Sequence, residues 1–227
     1  MKENIYQNIN FIKNFINKNK KFSNKIELVV VTKTFPSYSV TKSLDCGIKH
    51  IAESRLQEAL PKFKQLGASI NGVTKHFIGH LQSNKIKKIV ENFDFIQSLD
   101  DLEKASSIGY HAKKKGKIQN CLIEVKISHE ITKTGVEPEN LKNFYKKCKL
   151  INGILIKGLM IIAPNNYNNP EELRPFFKLT RYLFEKIKIS DNHANFNILS
   201  MGMSNDYKIA IEEGSNMIRI GSAIFGK

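Results

Sequence analysis

An alternation of two kinds of segment runs through this chain. Short apolar, β-branched runs are separated by longer stretches of helical period, and the pattern occurs eight times. The runs are Glu27–Val31, Ile48–Glu53, His76–Gly79, Phe93–Ser98, Gln119–Ile127, Ile154–Ile161, Asn195–Ser200 and Asn216–Ile220. Between them the spacing predicts helices over Ser37–Cys46, Ser54–Leu66, Ser83–Asn92, Asp100–Lys115, Glu137–Lys149, Pro170–Ile187 and Asn205–Glu213. Continuous apolar strands alternating with helices mean a parallel sheet covered by helices. Eight such units in 227 residues favour a closed (β/α)8 TIM barrel, as a single domain spanning 1–227, over an open doubly wound sheet. The open sheet would advertise a nucleotide loop after its first strand, and the sequence carries none there.

Helix starts and stops support these divisions. Ser37, Ser54, Ser83, Asp100 and Asn205 are residue types that accept hydrogen bonds from the free N–H groups of a first turn. Ser54 with Gln57, and Asp100 with Glu103, have capping-box spacing. Gly47, Gly67, Gly116 and Gly214 fall where helices should end. An extra amphipathic helix, from Tyr6 to about Asn19, precedes the first strand, and little sequence follows the eighth. That helix is expected to cover the barrel where a final helix is missing.

Composition narrows the setting. No segment approaches the roughly 20 apolar residues of a membrane span, and the N-terminus lacks a secretory pattern. Cys46, Cys121 and Cys148 are odd in number and form no Cys-x-x-Cys pair, so reduced thiols in the cytoplasm are expected, with no metal. The net charge is +15. Its densest runs, Lys18, Lys20, Lys21 and Lys113 to Lys115, are not interleaved with stacking aromatics. Lysine-rich residue usage along the whole chain explains the charge better than nucleic-acid binding does. A basic surface also attracts a phosphorylated small molecule.

In such a barrel, chemistry sits at the C-terminal ends of the strands. The first strand ends Val-Val-Val-Thr-Lys33-Thr. A lysine closing a valine run is expected to leave the barrel among apolar neighbours, where desolvation favours the neutral amine that attacks aldehydes. The third strand carries His76 and His80, four apart, as acid/base candidates; no third ligand follows at a spacing that suits a metal. Glu124 and Lys126, two apart on the fifth strand, are expected to point inward together, with Lys133 in the loop beyond.

The segment Ser200-Met201-Gly202-Met203-Ser204 runs from the seventh strand into a helix. Its hydroxyls, its glycine and the helix N-terminus make an anion site. The eighth strand ends Arg219-Ile-Gly221-Ser222, a second small, polar rim with a permanent positive charge beside it. Barrels frequently bind phosphate at these two loops. An amine across a barrel mouth from a phosphate site suits two ligands: a phosphosugar bound as an imine, as in an aldolase, or pyridoxal 5′-phosphate. The residues alone leave both open.

The motifs resolve further by resemblance. Leu-Val-Val-Val-Thr-Lys33-Thr, His76-Phe-Ile-Gly-His80-Leu-Gln-Ser-Asn-Lys85, Lys133-Thr-Gly135, Gly158-Leu-Met-Ile-Ile, Leu199-Ser-Met-Gly-Met-Ser204-Asn-Asp and Ile218-Arg219-Ile-Gly221-Ser-Ala-Ile-Phe-Gly226 occur in order along the chain. Together they resemble the YggS/PROSC family of pyridoxal phosphate homeostasis proteins, whose fold is similar to the N-terminal barrel of alanine racemase. The resemblance implies pyridoxal 5′-phosphate as cofactor and Lys33 as its Schiff-base lysine. It implies Arg219 at the pyridine nitrogen, which keeps that nitrogen unprotonated and the ring a poor electron sink. Ser200, Ser204, Gly221 and Ser222, with Met201 and Gly202 in the same loop, would surround the phosphate. His76 and Ser54 would lie near the ring; Ser54 stands where the family usually has asparagine.

Alanine racemase completes its site with a second, β-rich domain. This sequence ends shortly after its eighth strand, so a racemase's two opposed bases are not expected. The expected role is holding and distributing the cofactor, as a monomer, with apo-enzymes that need it as recipients. An amino-acid racemase is the alternative, followed by an imine-forming aldolase.

Overall fold

In the computed structural model, which describes residues 5–19, 22, 25–128, 134–191 and 195–226, the strands close into one barrel. They are β1 (Glu27–Val31), β2 (His50–Glu53), β3 (Thr74–Phe77), β4 (Phe95–Leu99), β5 (Gln119–Glu124), β6 (Ile154–Met160), β7 (Ile198–Ser200) and β8 (Met217–Ile220). Each pairs in parallel with the next, and β8 returns to β1. The helices are α1 (Ile5–Lys18), α2 (Ser37–Asp45), α3 (Leu56–Leu66), α4 (Ile86–Asn92), α5 (Leu102–Lys114), α6 (Leu141–Lys149), α7 (Arg174–Asp191), α8 (Tyr207–Glu212) and α9 (Ser222–Phe225). The fold is the TIM barrel that the alternation predicts.

The differences lie at element ends. Ser54 and Gln57 make no capping box; α3 is entered at Arg55 without a side-chain cap. Asp101, and not Asp100, caps α5 by accepting from the Lys104 N–H at 2.9 Å. Asp100 instead pairs with the Lys104 ammonium at 3.0 Å.

Alternation along each strand divides the core. On β1, Leu28 and Val30 face the helices, whereas Val29 and Val31 join Ala52, Phe95, Leu122, Met160 and Met217 in the barrel interior. On the outside, α1 places Ile5, Ile9, Ile12 and Ile16 against Val30, Ile211, Ile218 and Phe225. Burying each isoleucine contributes about 1.5–3 kcal/mol. Phe15 meets Tyr207 of α8 edge to face at 5.6 Å, and Asn8 donates to the Ile224 carbonyl of α9 at 2.9 Å. The N-terminal helix therefore fills the gap beside the four-residue α9, as the sequence predicts. Among the described residues, no helix is long and apolar enough to cross a membrane.

Candidate functional site

A cavity of about 500 Å³ opens at the C-terminal ends of β1 and β8 and the loops after β6 and β7. That volume suits a small organic ligand. Of the residues singled out in the sequence, Lys33, Ser204, Arg219, Gly221 and Ser222 line it together.

Lys33 is positioned by what holds its neighbours. Thr32 is wholly buried at the end of β1. Its hydroxyl donates to Glu53 Oε1 at 2.7 Å, and its carbonyl accepts from Lys62 Nζ at 2.6 Å. On the other side, the Thr34 N–H donates to Glu58 Oε2 at 2.9 Å. Thr34 has φ of 68°, a conformation a β-branched residue adopts only where its surroundings impose it. The chain thus turns sharply out of the barrel and sets Lys33 exposed on the rim. Lys33 lines the cavity beside the apolar Val31, Phe35 and Ile78, with its side chain exposed at the rim.

Across the cavity, the loop after β7 and the start of α9 meet at one hydroxyl. Ser204 Oγ accepts from the backbone N–H of Gly221 at 3.4 Å and of Ala223 at 3.1 Å. Two N–H groups aimed at one oxygen form a ready cradle for an oxyanion. Gly221 fits because an added Cβ would lie 3.1 Å from the Val31 carbonyl oxygen. Asp206 Oδ1 accepts from the Met203 N–H and fixes the turn. Burial raises the Asp206 carboxyl pKa.

Arg219 reaches the cavity from the barrel interior. Its Nη1 donates to Ser200 Oγ and its Nη2 to the Ile161 carbonyl, both at 2.7 Å. Burial lowers its pKa to about 10, so it stays charged at neutral pH. Glu124 is buried nearby; burial, then Asp100, raises its pKa to about 7.

The remaining predicted residues lie elsewhere. Ser200 was expected at the phosphate, but its hydroxyl is turned inward onto Arg219 and Gln97, because alternation puts this end of β7 inside the barrel. Met201 is buried in the core. Gly202 does not line the cavity; at φ of 98° its place is needed because a Cβ there would lie 2.7 Å from that of Ala210. His76 was expected near the ring, yet it is fully buried below, stacked on Phe95 with 5.0 Å between centroids. Burial lowers its pKa to about 3. Ser54 is half-buried and packs its carbonyl where a Cβ on Gly79 would stand, at 2.0 Å, so it too is absent from the cavity lining. His80 is exposed. Glu124 and Lys126 do not point inward together: β5 ends at Glu124, and Lys126 pairs with Glu137 at 3.0 Å. Lys133 lies outside the described residues.

Thr34, Phe35, Tyr167 and Asp206, to which the sequence assigns no role at the site, also line the cavity. Asp206 had a signal, since an acidic residue three positions after Met203 suits a turn cap. Tyr167 sits in a polar loop with no pattern pointing to the barrel mouth.

Comparison with known proteins follows the same lines. The alanine racemase N-terminal domain family matches residues 2–227. The pyridoxal phosphate homeostasis protein of Aquifex aeolicus is 39% identical over 204 residues, covering 90% of this chain and 88% of that one. The chain belongs to the pyridoxal phosphate homeostasis protein family.

The Synechocystis pyridoxal phosphate homeostasis protein is 38% identical, over 88% of this chain and 91% of its own. The structure of PipY from Synechococcus elongatus, solved with pyridoxal phosphate bound, superposes with a TM-score of 0.86 at 28% identity. It covers 98% of this chain and all (100%) of PipY. Alanine racemase of Clostridium difficile shares the fold, with a TM-score of 0.75, 19% identity, and coverage of 99% of this chain and 60% of the racemase.

Proposed function

We propose that this chain binds pyridoxal 5′-phosphate in the cavity at the barrel mouth and serves its intracellular homeostasis, passing it to cytosolic apo-enzymes. The observation that carries this reading is a convergence. Lys33, Ser204 and Arg219 come from three separate parts of the chain and line one cavity. Pyridoxal 5′-phosphate supplies an aldehyde that condenses with an amine, and a phosphate beside it on an aromatic ring. Lys33 offers the amine, and the Ser204 and Ser222 hydroxyls offer donors to the phosphate, joined by the Gly221 and Ala223 N–H groups where a phosphate oxygen takes the place of Ser204 Oγ as their acceptor. Arg219 offers a permanent donor to the ring nitrogen. An arginine there withholds a proton from that nitrogen, which suits storage better than turnover. The exposure of Lys33 on the rim leaves its amine accessible to an incoming acceptor.

The test is borohydride reduction of the protein with pyridoxal 5′-phosphate, followed by peptide mass mapping. The cofactor mass is expected on Lys33. A label found on Lys126 or Lys133 with Lys33 unmodified would overturn the assignment.

A further inference from the structure

A row of polar side chains runs through the barrel interior from Arg219 to the opposite mouth. Arg219 Nη1 lies 2.7 Å from Ser200 Oγ, and Ser200 Oγ lies 2.7 Å from Gln97 Oε1. Gln97 Nε2 lies 2.9 Å from His76 Nδ1, and His76 Nε2 lies 3.0 Å from His50 Nδ1. His50 Nε2 ends the row, 3.3 Å from Glu27 Oε2. The residues come from β8, β7, β4, β3, β2 and β1. They share the inward face because Ala52 pairs with His76, His76 with Phe95, and Val29 with both His50 and Arg219.

Chemistry fixes the direction of every bond. A guanidinium only donates, so Arg219 donates to Ser200. Gln97 Nε2 also lies 3.4 Å from Met217 Sδ, which has no hydrogen to give. The amide edge facing both Met217 and His76 is therefore the NH₂ edge, and Gln97 Oε1 must accept from the Ser200 hydroxyl. His76 Nδ1 then accepts and carries no proton, which leaves its proton on Nε2, donated to His50 Nδ1. His50 in turn carries its proton on Nε2 and donates to Glu27. At that end, Glu27 Oε1 is ion-paired with Lys25 at 2.6 Å, which keeps the terminal group a carboxylate. Reasoned from Glu27 inward, the same tautomers result: an imidazolium at His50 would force a proton onto His76 Nδ1, against the Gln97 amide. All five bonds thus run one way, from Arg219 to Glu27.

We propose that Gln97, His76, His50 and Glu27 are positioning residues for Arg219, fixing the Ser200 hydroxyl as its acceptor. With that hydroxyl's only proton committed to Gln97, its lone pairs are held toward Arg219, and the guanidinium cannot turn. The remaining N–H groups are presented to the cavity in one orientation. This assignment rests on the cofactor reading above for its purpose, though not for its geometry.

The test uses the full-length protein in two arms. In the cofactor-free arm, histidine-selective ¹⁵N spectra at neutral pH are expected to show His76 and His50 both neutral, with the proton on Nε2. A proton on Nδ1 of either ring would overturn the chain's direction. In Gln97→Glu, the two rings lie between two carboxylates and are expected to take up one proton, giving one imidazolium; two neutral rings would overturn the coupling. In Gln97→Leu, Arg219 Nη–H exchange is expected to quicken about tenfold, and a folded variant with unchanged exchange would refute the positioning role. In the loaded arm, the same variant is expected to weaken pyridoxal 5′-phosphate binding about tenfold while Lys33 remains the labelled residue. If wild-type Lys33 takes no label, the cofactor reading fails, while the spectra still decide the relay.

Discussion

Lys62 and Glu53 form an ion pair, 2.5 Å between Nζ and Oε1, directly behind the residue that precedes Lys33. Lys62 is 8% exposed and Glu53 fully buried. Both groups also hold Thr32, so the pair fixes where β1 ends and the lysine begins. Glu53 Oε2 has no hydrogen-bond partner among the described residues, which leaves its charge dependent on Lys62 and Thr32.

Removing one partner should therefore cost more than removing both. Lys62→Met is expected to destabilise by about 3–5 kcal/mol, because it strands a buried carboxylate. Lys62→Met with Glu53→Gln should recover part of that loss. Urea melts of the three proteins measure it; a single variant no less stable than the double would contradict the pairing.

Lys33 carries no such structural duty, being exposed on the rim. Lys33→Ala is expected to leave stability within about 0.5 kcal/mol of wild type, yet to abolish covalent labelling by pyridoxal 5′-phosphate and borohydride. Thermal melts and mass mapping separate the two effects.

Glu124 should leave a pH signature. Its folded pKa of about 7 lies above the usual unfolded value of about 4.3. Between those values the folded state holds a proton that the unfolded state has lost, so this group's contribution falls as pH rises through the window. Glu124→Gln is expected to gain stability relative to wild type from about pH 4.5 to 7, by up to about 3 kcal/mol. Denaturant melts at pH 5 and pH 8 test this; an equal difference at both would refute the shift.

Close backbone approach beside the site gives a steric prediction. A Cβ at Gly79 would stand 2.0 Å from the Ser54 carbonyl oxygen. Gly79→Ala is expected to destabilise by about 3 kcal/mol, since backbone on both sides must move. A chemical-denaturation midpoint near that of wild type would mean that the β2 and β3 ends separate freely.

On the outer face, Ile9 of α1 is fully buried against the β1 and β8 side of the barrel. Ile9→Ala is expected to cost about 2–5 kcal/mol. A melting temperature unchanged in this variant, or on deletion of residues 1–22, would show that α1 does not close the fold.

The barrel is legible in the alternation of runs and helical stretches. Eight apolar runs and the helical stretches between them leave few other ways to bury so much surface, and the rule that chemistry sits at strand ends then singled out Lys33, Ser204, Arg219, Gly221 and Ser222. Local order suffices there, because each lies within a few residues of a strand end. Which polar residues face inward, and what they touch, depends instead on strand pairing and register. Ser200 and His76 have the same local signals as rim residues, yet strand alternation and register turn them into the barrel, where they meet Gln97 and Arg219. Lys62 reaches Thr32 across 30 positions of sequence. A contact of that kind follows from the pairing of β1 with β2, which α3 follows, and no periodicity within one segment encodes it.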